Sequence, residues 1–238
     1  MLRNNIKYTL AILGLSFVGV SQDLKSDIAA INKTYRETSK MTLTFELNMF
    51  ENYSTQKIYY TEKGIIQKNG KNTFHKFDDN ECINTPEYSV MIDREEKEVV
   101  YAPKKVTFDY DDPALALNLD SLLLMCKAHA FKKIGELYSY QFIMKEGYPD
   151  YSQIGFYFDP KTHFIQKIIY YCNEDDISLH NEDEKYSKSR VEINYKDINT
   201  KPSFNSSDFT YEKYLVKSGN KFELKSSLAG YHLTVLAF

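Results

Sequence analysis

The sequence predicts a mainly β (α+β) protein, a curved antiparallel half-barrel sheet with helices covering its concave face. Three observations predict it. From Met41 to Met49, apolar Met, Leu, Phe, Leu, Met alternate with Thr, Thr, Glu, Asn, the period-2 pattern of a strand with one buried and one wet face. From Ile154 to Tyr171, two arms rich in aromatic and β-branched residues flank Asp159-Pro160-Lys161-Thr162, where Asp and Pro favour a type I turn. The 238 residues also carry 20 Tyr and 15 Phe without one Trp, an aromatic bias that suits strands.

Composition sets outer limits. At 42% hydrophobic and 26% charged, the chain has the make-up of a globular protein with a real core. A net charge of -3 argues against nucleic acid, which calls for a concentrated basic face. Arg3 and Lys7, the uncharged run Tyr8 to Val20 and the small residues Gly19-Val20-Ser21 have the layout of a signal peptide cleaved near Ser21 or Gln22. That run is short for a membrane span, and no Cys follows it to carry a lipid. The expectation is a signal peptide over 1–22 and one domain over 23–238, exported and soluble in the periplasm, not an integral membrane protein after cleavage.

Taken in order, Asp23 to Ser39 predicts an amphipathic helix, with Asp23 as N-cap and Leu24, Ile28, Ile31 and Tyr35 at helical spacing. The strand at 41–49 follows. Two shorter strands are expected at Gln56–Tyr60 and Gly64–Lys68, then an Asn69-Gly70 hairpin into Lys71–Phe77. Tyr88–Ile92 and Glu98–Tyr101 form the next hairpin, turning at Asp93–Lys97. Pro103 to Pro113 breaks the meander, and its Asp109, Asp111 and Asp112 lack calcium-loop spacing, so a solvated loop is expected.

Ala114 to Gly135 predicts a second helix, coated with apolar residues around most of its circumference at Leu122–Met125. Strand patterning resumes at Tyr138, Tyr140, Phe142 and Met144. In the second arm of the long hairpin, alternation puts Ile165, Ile169 and Tyr171 on one face and Phe164, Ile168 and Tyr170 on the other. A strand apolar on both faces needs cover on both, which places the hairpin near the middle of the sheet with something lying across it. The acidic stretch Asn173–Tyr186 predicts a solvated loop, Val191–Tyr195 a strand, Thr200–Phe209 a connection, and Gly230–Phe238 a last strand. A sheet of so many strands must curl, and its interior is wider than sheet side chains alone can fill.

No catalytic signature emerges. His75, His129, His163, His180 and His232 are scattered, and there is no nucleophile elbow or phosphate-cradling glycine loop. Cys82, Cys126 and Cys172 permit at most one internal disulfide, and sequence does not choose the pair. Cys126 and His129, i and i+3 on the expected helix, are the one metal-like pair, with no second pair to complete a site, so Cys126 is expected to be a small core residue. No cofactor and no metal are expected.

The order of leader, helix, long alternating strand with Gly64 in the next strand, meander, helical insert and the Tyr157-Phe158-Asp159-Pro160-Lys161-Thr162 hairpin resembles the LolA-like family of periplasmic lipoprotein carriers. That resemblance implies an apolar cavity that takes the acyl chains of a lipoprotein, under helical lids. The family's Arg-Pro-Gly-rich segment has no counterpart here, since Gln67 to Phe74 holds neither Arg nor Pro, and the family's Arg latch is not carried over. The expected function is a non-enzymatic carrier for an acyl-bearing ligand, a lipoprotein or other lipid. A cell-envelope interaction or assembly module on the same fold is the alternative. Leu43, Phe45, Leu47, Tyr140, Phe142, Phe156 and Ile168, with Leu122 and Met125 from the lid, are the candidate lining residues. Each methylene they bury contributes about 0.8 kcal/mol, so an acyl chain needs little polar chemistry.

Overall fold

The computed structural model describes residues 23–103, 119–147, 151–173, 189–219 and 221–236. Helix α1 (Leu24–Glu37) starts as expected, with the Asp23 carboxylate accepting from the Lys25 backbone N–H at 3.1 Å. Its stripe of Leu24, Ile28, Ile31 and Tyr35 is buried. There follow β1 (Lys40–Phe50), β2 (Ile58–Asn69), β3 (Asn72–Phe77), β4 (Asn80–Asn84), β5 (Tyr88–Asp93) and β6 (Glu98–Pro103). After α2 (Leu119–Met125) come β7 (Cys126–Ile134), β8 (Leu137–Met144), β9 (Tyr151–Phe158), β10 (Ile165–Cys172) and β11 (Arg190–Asn199). The C-terminal part holds β12 (Leu215–Ser218), β13 (Lys221–Leu224) and β14 (His232–Val235), with short 3-10 turns around them.

Twelve strands form one sheet in the order β14-β6-β5-β4-β3-β2-β1-β11-β10-β9-β8-β7, and β12 and β13 make a separate hairpin. The ends, β14 and β7, do not meet, so the sheet stays open. Every neighbouring pair is antiparallel except β14 on β6, which is parallel. The expected class is what forms: mainly strands in a large open antiparallel sheet, with two helices.

Several local expectations are corrected. The strands at 56–60 and 64–68 are one strand, β2, because Thr61–Lys63 pair with Glu46–Asn48 and bridge the polar gap. Strand β4 was not anticipated; Asp78, at positive φ, turns the chain back so that Phe77 pairs with Asn80. Of the helix expected over 114–135, residues 119–125 are helical and 126–134 are the edge strand β7, while 114–118 lie outside the described residues. Cys126 and His129 therefore no longer stand one helical turn apart. The turn at 159–162 is wider than expected: the His163 N–H donates to the Asp159 carbonyl at 2.7 Å, with His163 at positive φ. Asp159 does bond back to the chain, accepting from the Lys161 N–H at 2.8 Å. A bulge between Ile165 and Lys167 moves Ile165 onto the face of Ile168, away from Ile169. Strands β9 and β10 are interior, paired on both sides, though nearer the β7 end than the middle. The acidic cluster at 109–112, most of the loop at 173–186 and the leader lie outside the described residues.

The sheet has two apolar clusters, one on each face. One gathers α1, α2 and the β2-to-β8 half: Ile66, Leu43, Tyr195, Ile168, Phe156 and Phe142 among others. The other gathers Phe74, Ile83, Val90, Ile92 and Val99 under Phe209, Tyr214, Leu215 and Leu228 of the C-terminal segment. Register puts them on opposite sides: Ile66 pairs with His75 and Gln67 with Phe74, and neighbouring residues of a strand point opposite ways.

Candidate functional site: the helix-covered face

One cross-strand row organises this face. Tyr140 of β8 pairs with Phe156 of β9, Phe156 with Ile168 of β10, Ile168 with Ile193 of β11, and Ile193 with Leu47 of β1. Five strands thus present apolar side chains in line, because pairing in register carries one face across the sheet. Phe142 and Phe156 stack at 5.8 Å between ring centroids, and Tyr140 lies 5.6 Å from Phe156. Phe45, one row along, stacks on Phe77 at 5.4 Å.

All nine residues expected to line the cavity belong to this cluster. Leu43, Phe142, Phe156 and Ile168 are fully buried, and Tyr140 and Leu122 nearly so. Leu47 and Met125 are partly buried against the rest, as is Leu123. Leu124, on the other side of α2, is 76% exposed, so α2 lies on the cluster by one side only.

Helix α1 is tied to this face by polar links that the apolar pattern did not reveal. The Tyr140 hydroxyl donates to the buried Asp27 carboxylate at 2.7 Å. Burial and that bond together push the Tyr140 hydroxyl well above its ordinary pKa. The Tyr35 hydroxyl accepts from the Ile165 backbone N–H at 3.2 Å, and its ring meets Phe164 edge-on at 5.3 Å. The Lys68 ammonium donates to the Tyr35 carbonyl at 2.5 Å, and burial lowers its pKa. Asp27 had a sequence signal: it stands three residues after Leu24 and four before Ile31, inside the apolar stripe. A carboxylate there needs a buried donor.

The opposite face offers a different surface. Between β1, β2 and β11 an open recess of about 370 Å³ is lined by Thr44, Glu46, Lys63, Lys76, Lys196 and Asp197, together with Phe45, Gly64 and Ile65. Lys196 pairs with Glu46 at 3.0 Å. Its charges are mixed and exposed, unlike the apolar row behind it. The helix-covered face is apolar, and among the described residues no group of three or more His, Cys, Asp or Glu side chains could hold a metal ion.

No protein-family profile and no curated protein matches the chain. Solved structures do resemble it. An uncharacterised conserved protein of Thermus thermophilus is 6% identical with a TM-score of 0.46, over 90% of this chain and 100% of that one. A LolA-superfamily protein of Nitrosomonas europaea is 7% identical with a TM-score of 0.35, over 79% and 98%. A putative outer-membrane lipoprotein-sorting domain of Vibrio parahaemolyticus is 13% identical with a TM-score of 0.36, over 79% and 96%. LolA-superfamily structures are thus among those similar to this chain, as the sequence resemblance expects.

Proposed function

We propose that the protein is a non-enzymatic binding protein, an exported carrier for an acyl-bearing ligand such as a lipoprotein or another lipid. The observation that supports this is the convergence of Leu43, Phe45, Leu47, Tyr140, Phe142, Phe156 and Ile168 of the sheet with Leu122 and Met125 of α2 in one apolar cluster. The acyl chain lies between α2 and the sheet. There Leu123 and Met125 are only partly buried, and a ligand completes their burial. Each methylene covered contributes about 0.8 kcal/mol, which offsets the cost of lifting a short helix. Export rests on the charged and apolar leader at 1–22. No helix among the described residues is long and apolar enough to cross a membrane.

The test is titration of the mature, delipidated protein with a fluorescent fatty-acyl probe, alongside native mass spectrometry of protein purified from the periplasm. Saturable uptake is expected, with Leu123→Asp weakening it about ten-fold or more while the chain still folds, since Leu123 is only partly buried. A clean unliganded mass together with no probe uptake overturns the proposal and leaves an envelope interaction module as the account.

A further inference from the structure

The helix-covered face continues past the apolar cluster onto the β3–β6 meander, where two rows cross it. The first runs Ile66, His75, Cys82, Met91, Val100 from β2 to β6. The second, two residues along each strand, runs Lys68, Thr73, Asn84, Ser89, Ala102. Alternate residues share a face, so both rows look the same way as Ile66, a member of the apolar cluster.

The two rows differ in chemistry. The first is largely apolar, with Cys82 and Val100 buried. The second is polar from Lys68 to Ser89 and ends in the fully buried Ala102. Lys68 is engaged by α1, donating to the carbonyls of Tyr35 at 2.5 Å and Arg36 at 3.4 Å. The polar row therefore begins where the last turn of α1 ends. Further along it, the Asn84 side-chain oxygen accepts from the Cys82 thiol at 3.6 Å, while its Nδ2, out of contact with solvent, has no hydrogen-bond partner. Buried amide donors are almost always paired, so an orphan one marks a place where something else supplies the acceptor.

We infer that Asn84 is the head-group donor of the acyl-binding face, hydrogen-bonding the ester or amide carbonyl of a ligand whose chain lies on the apolar cluster. The inference rests on the acyl-binding reading above. Asn84 pairs across the strands with Thr73 and Ser89, both neutral hydroxyl residues. Such surroundings suit an uncharged carbonyl oxygen better than a phosphate or carboxylate, which calls for a cationic partner. Asn84 shares its face with Ile66, a member of the apolar cluster, two strands away.

Two probes of equal chain length separate the claims, a pyrene-labelled acyl methyl ester and the corresponding pyrene-alkane. Both are titrated into the mature protein and into Asn84→Leu, and affinities are corrected for partition into octanol. The wild type is expected to favour the ester about ten-fold. Asn84→Leu, apolar and of similar volume, should erase that preference while holding the alkane as before. Asn84→Asp, which replaces the donor by an acceptor, provides a second variant should Asn84→Leu not fold, and it too should lose the ester. Equal wild-type affinities, or a preference that survives in the folded variant, mean an ordered water satisfies the amide. The head-group assignment then falls while acyl binding stands. If neither probe binds the wild type, the acyl reading falls and this assignment with it.

Discussion

Gly64 faces Phe45 across the β1–β2 ladder, and the Phe45 ring occupies the space a side chain there would need. A Cβ on Gly64 would stand 2.1 Å from the ring and 2.9 Å from the Lys76 carbonyl. Gly64→Ala is therefore expected to cost about 1–3 kcal/mol in urea denaturation, as overpacking does. Gly155 is the control. Its nearest neighbour to a Cβ is 3.9 Å away, so Gly155→Ala should stabilise by about 0.5 kcal/mol through the unfolded chain. Equal effects at both sites would contradict the packing argument.

Glu81, 6% exposed, carries a second residue-scale prediction. Burial alone would raise its pKa, but bonds from Arg94 at 2.6 Å, from the Tyr214 hydroxyl and from Lys213 at 3.0 Å hold it down to about 2. The folded value lies below the ordinary 4.5, so this stabilisation is complete above pH 4.5 and lost as pH falls toward 2. The gap corresponds to roughly 3 kcal/mol. Denaturant midpoints across that range should fall in the wild type and fall less steeply in Glu81→Gln, which should already be weakened at pH 7. Parallel curves would remove Glu81 from the acid response.

At the scale of elements, α1 and the β10 bulge depend on each other. The bulge between Ile165 and Lys167 breaks the regular ladder, and the Tyr35 hydroxyl takes the fully buried Ile165 N–H. Tyr35→Phe keeps the ring on Phe164 but leaves that N–H unpaired, at an expected cost of about 1–3 kcal/mol. Hydrogen exchange should show the loss at β10 as well as along α1. A change of a few tenths would mean that the bulge holds itself. At the other end of the helix, Asp27 and Tyr140 form the matching link. The lid proposed for ligand entry is therefore α2, while α1 is the fixed cover.

At the scale of the molecule, the sheet is apolar on opposite faces in its two halves, so it needs two covers. Helices α1 and α2 cover one half, and Phe209, Tyr214, Leu215 and Leu228 cover the other. Lys213 helps fasten the second cover, 4.0 Å over the Phe74 ring and paired with Glu81. A chain ending after Lys201 would bare Ile83, Val90, Ile92 and Val99, all fully buried here. It is expected to bind an apolar dye and aggregate at concentrations where the full chain stays dispersed. A dispersed, dye-silent truncation would show that the meander does not depend on this cover.

Strong local patterns were legible from sequence because they need no partner to declare themselves. The alternation at 41–49, the stripe of α1, the Asn69-Gly70 turn and the aromatic arms at 154–171 each follow from a period or a backbone preference. They sufficed for the class of fold and for nine apolar residues that the fold packs into one cluster. What only tertiary structure decided was set by partners distant in sequence. Residues 126–134 became a strand because β8 supplies a ladder, although the stretch beside α2 carries helical spacing. The polar Thr61–Lys63 joined β2 because β1 lies alongside. Ile165 changed face through a bulge that Tyr35, 130 residues away, makes tolerable. The second apolar face was hidden because its cover comes from a segment patterned like a loop. Periodicity reports which residues avoid water, and the rest depends on what each strand finds beside it.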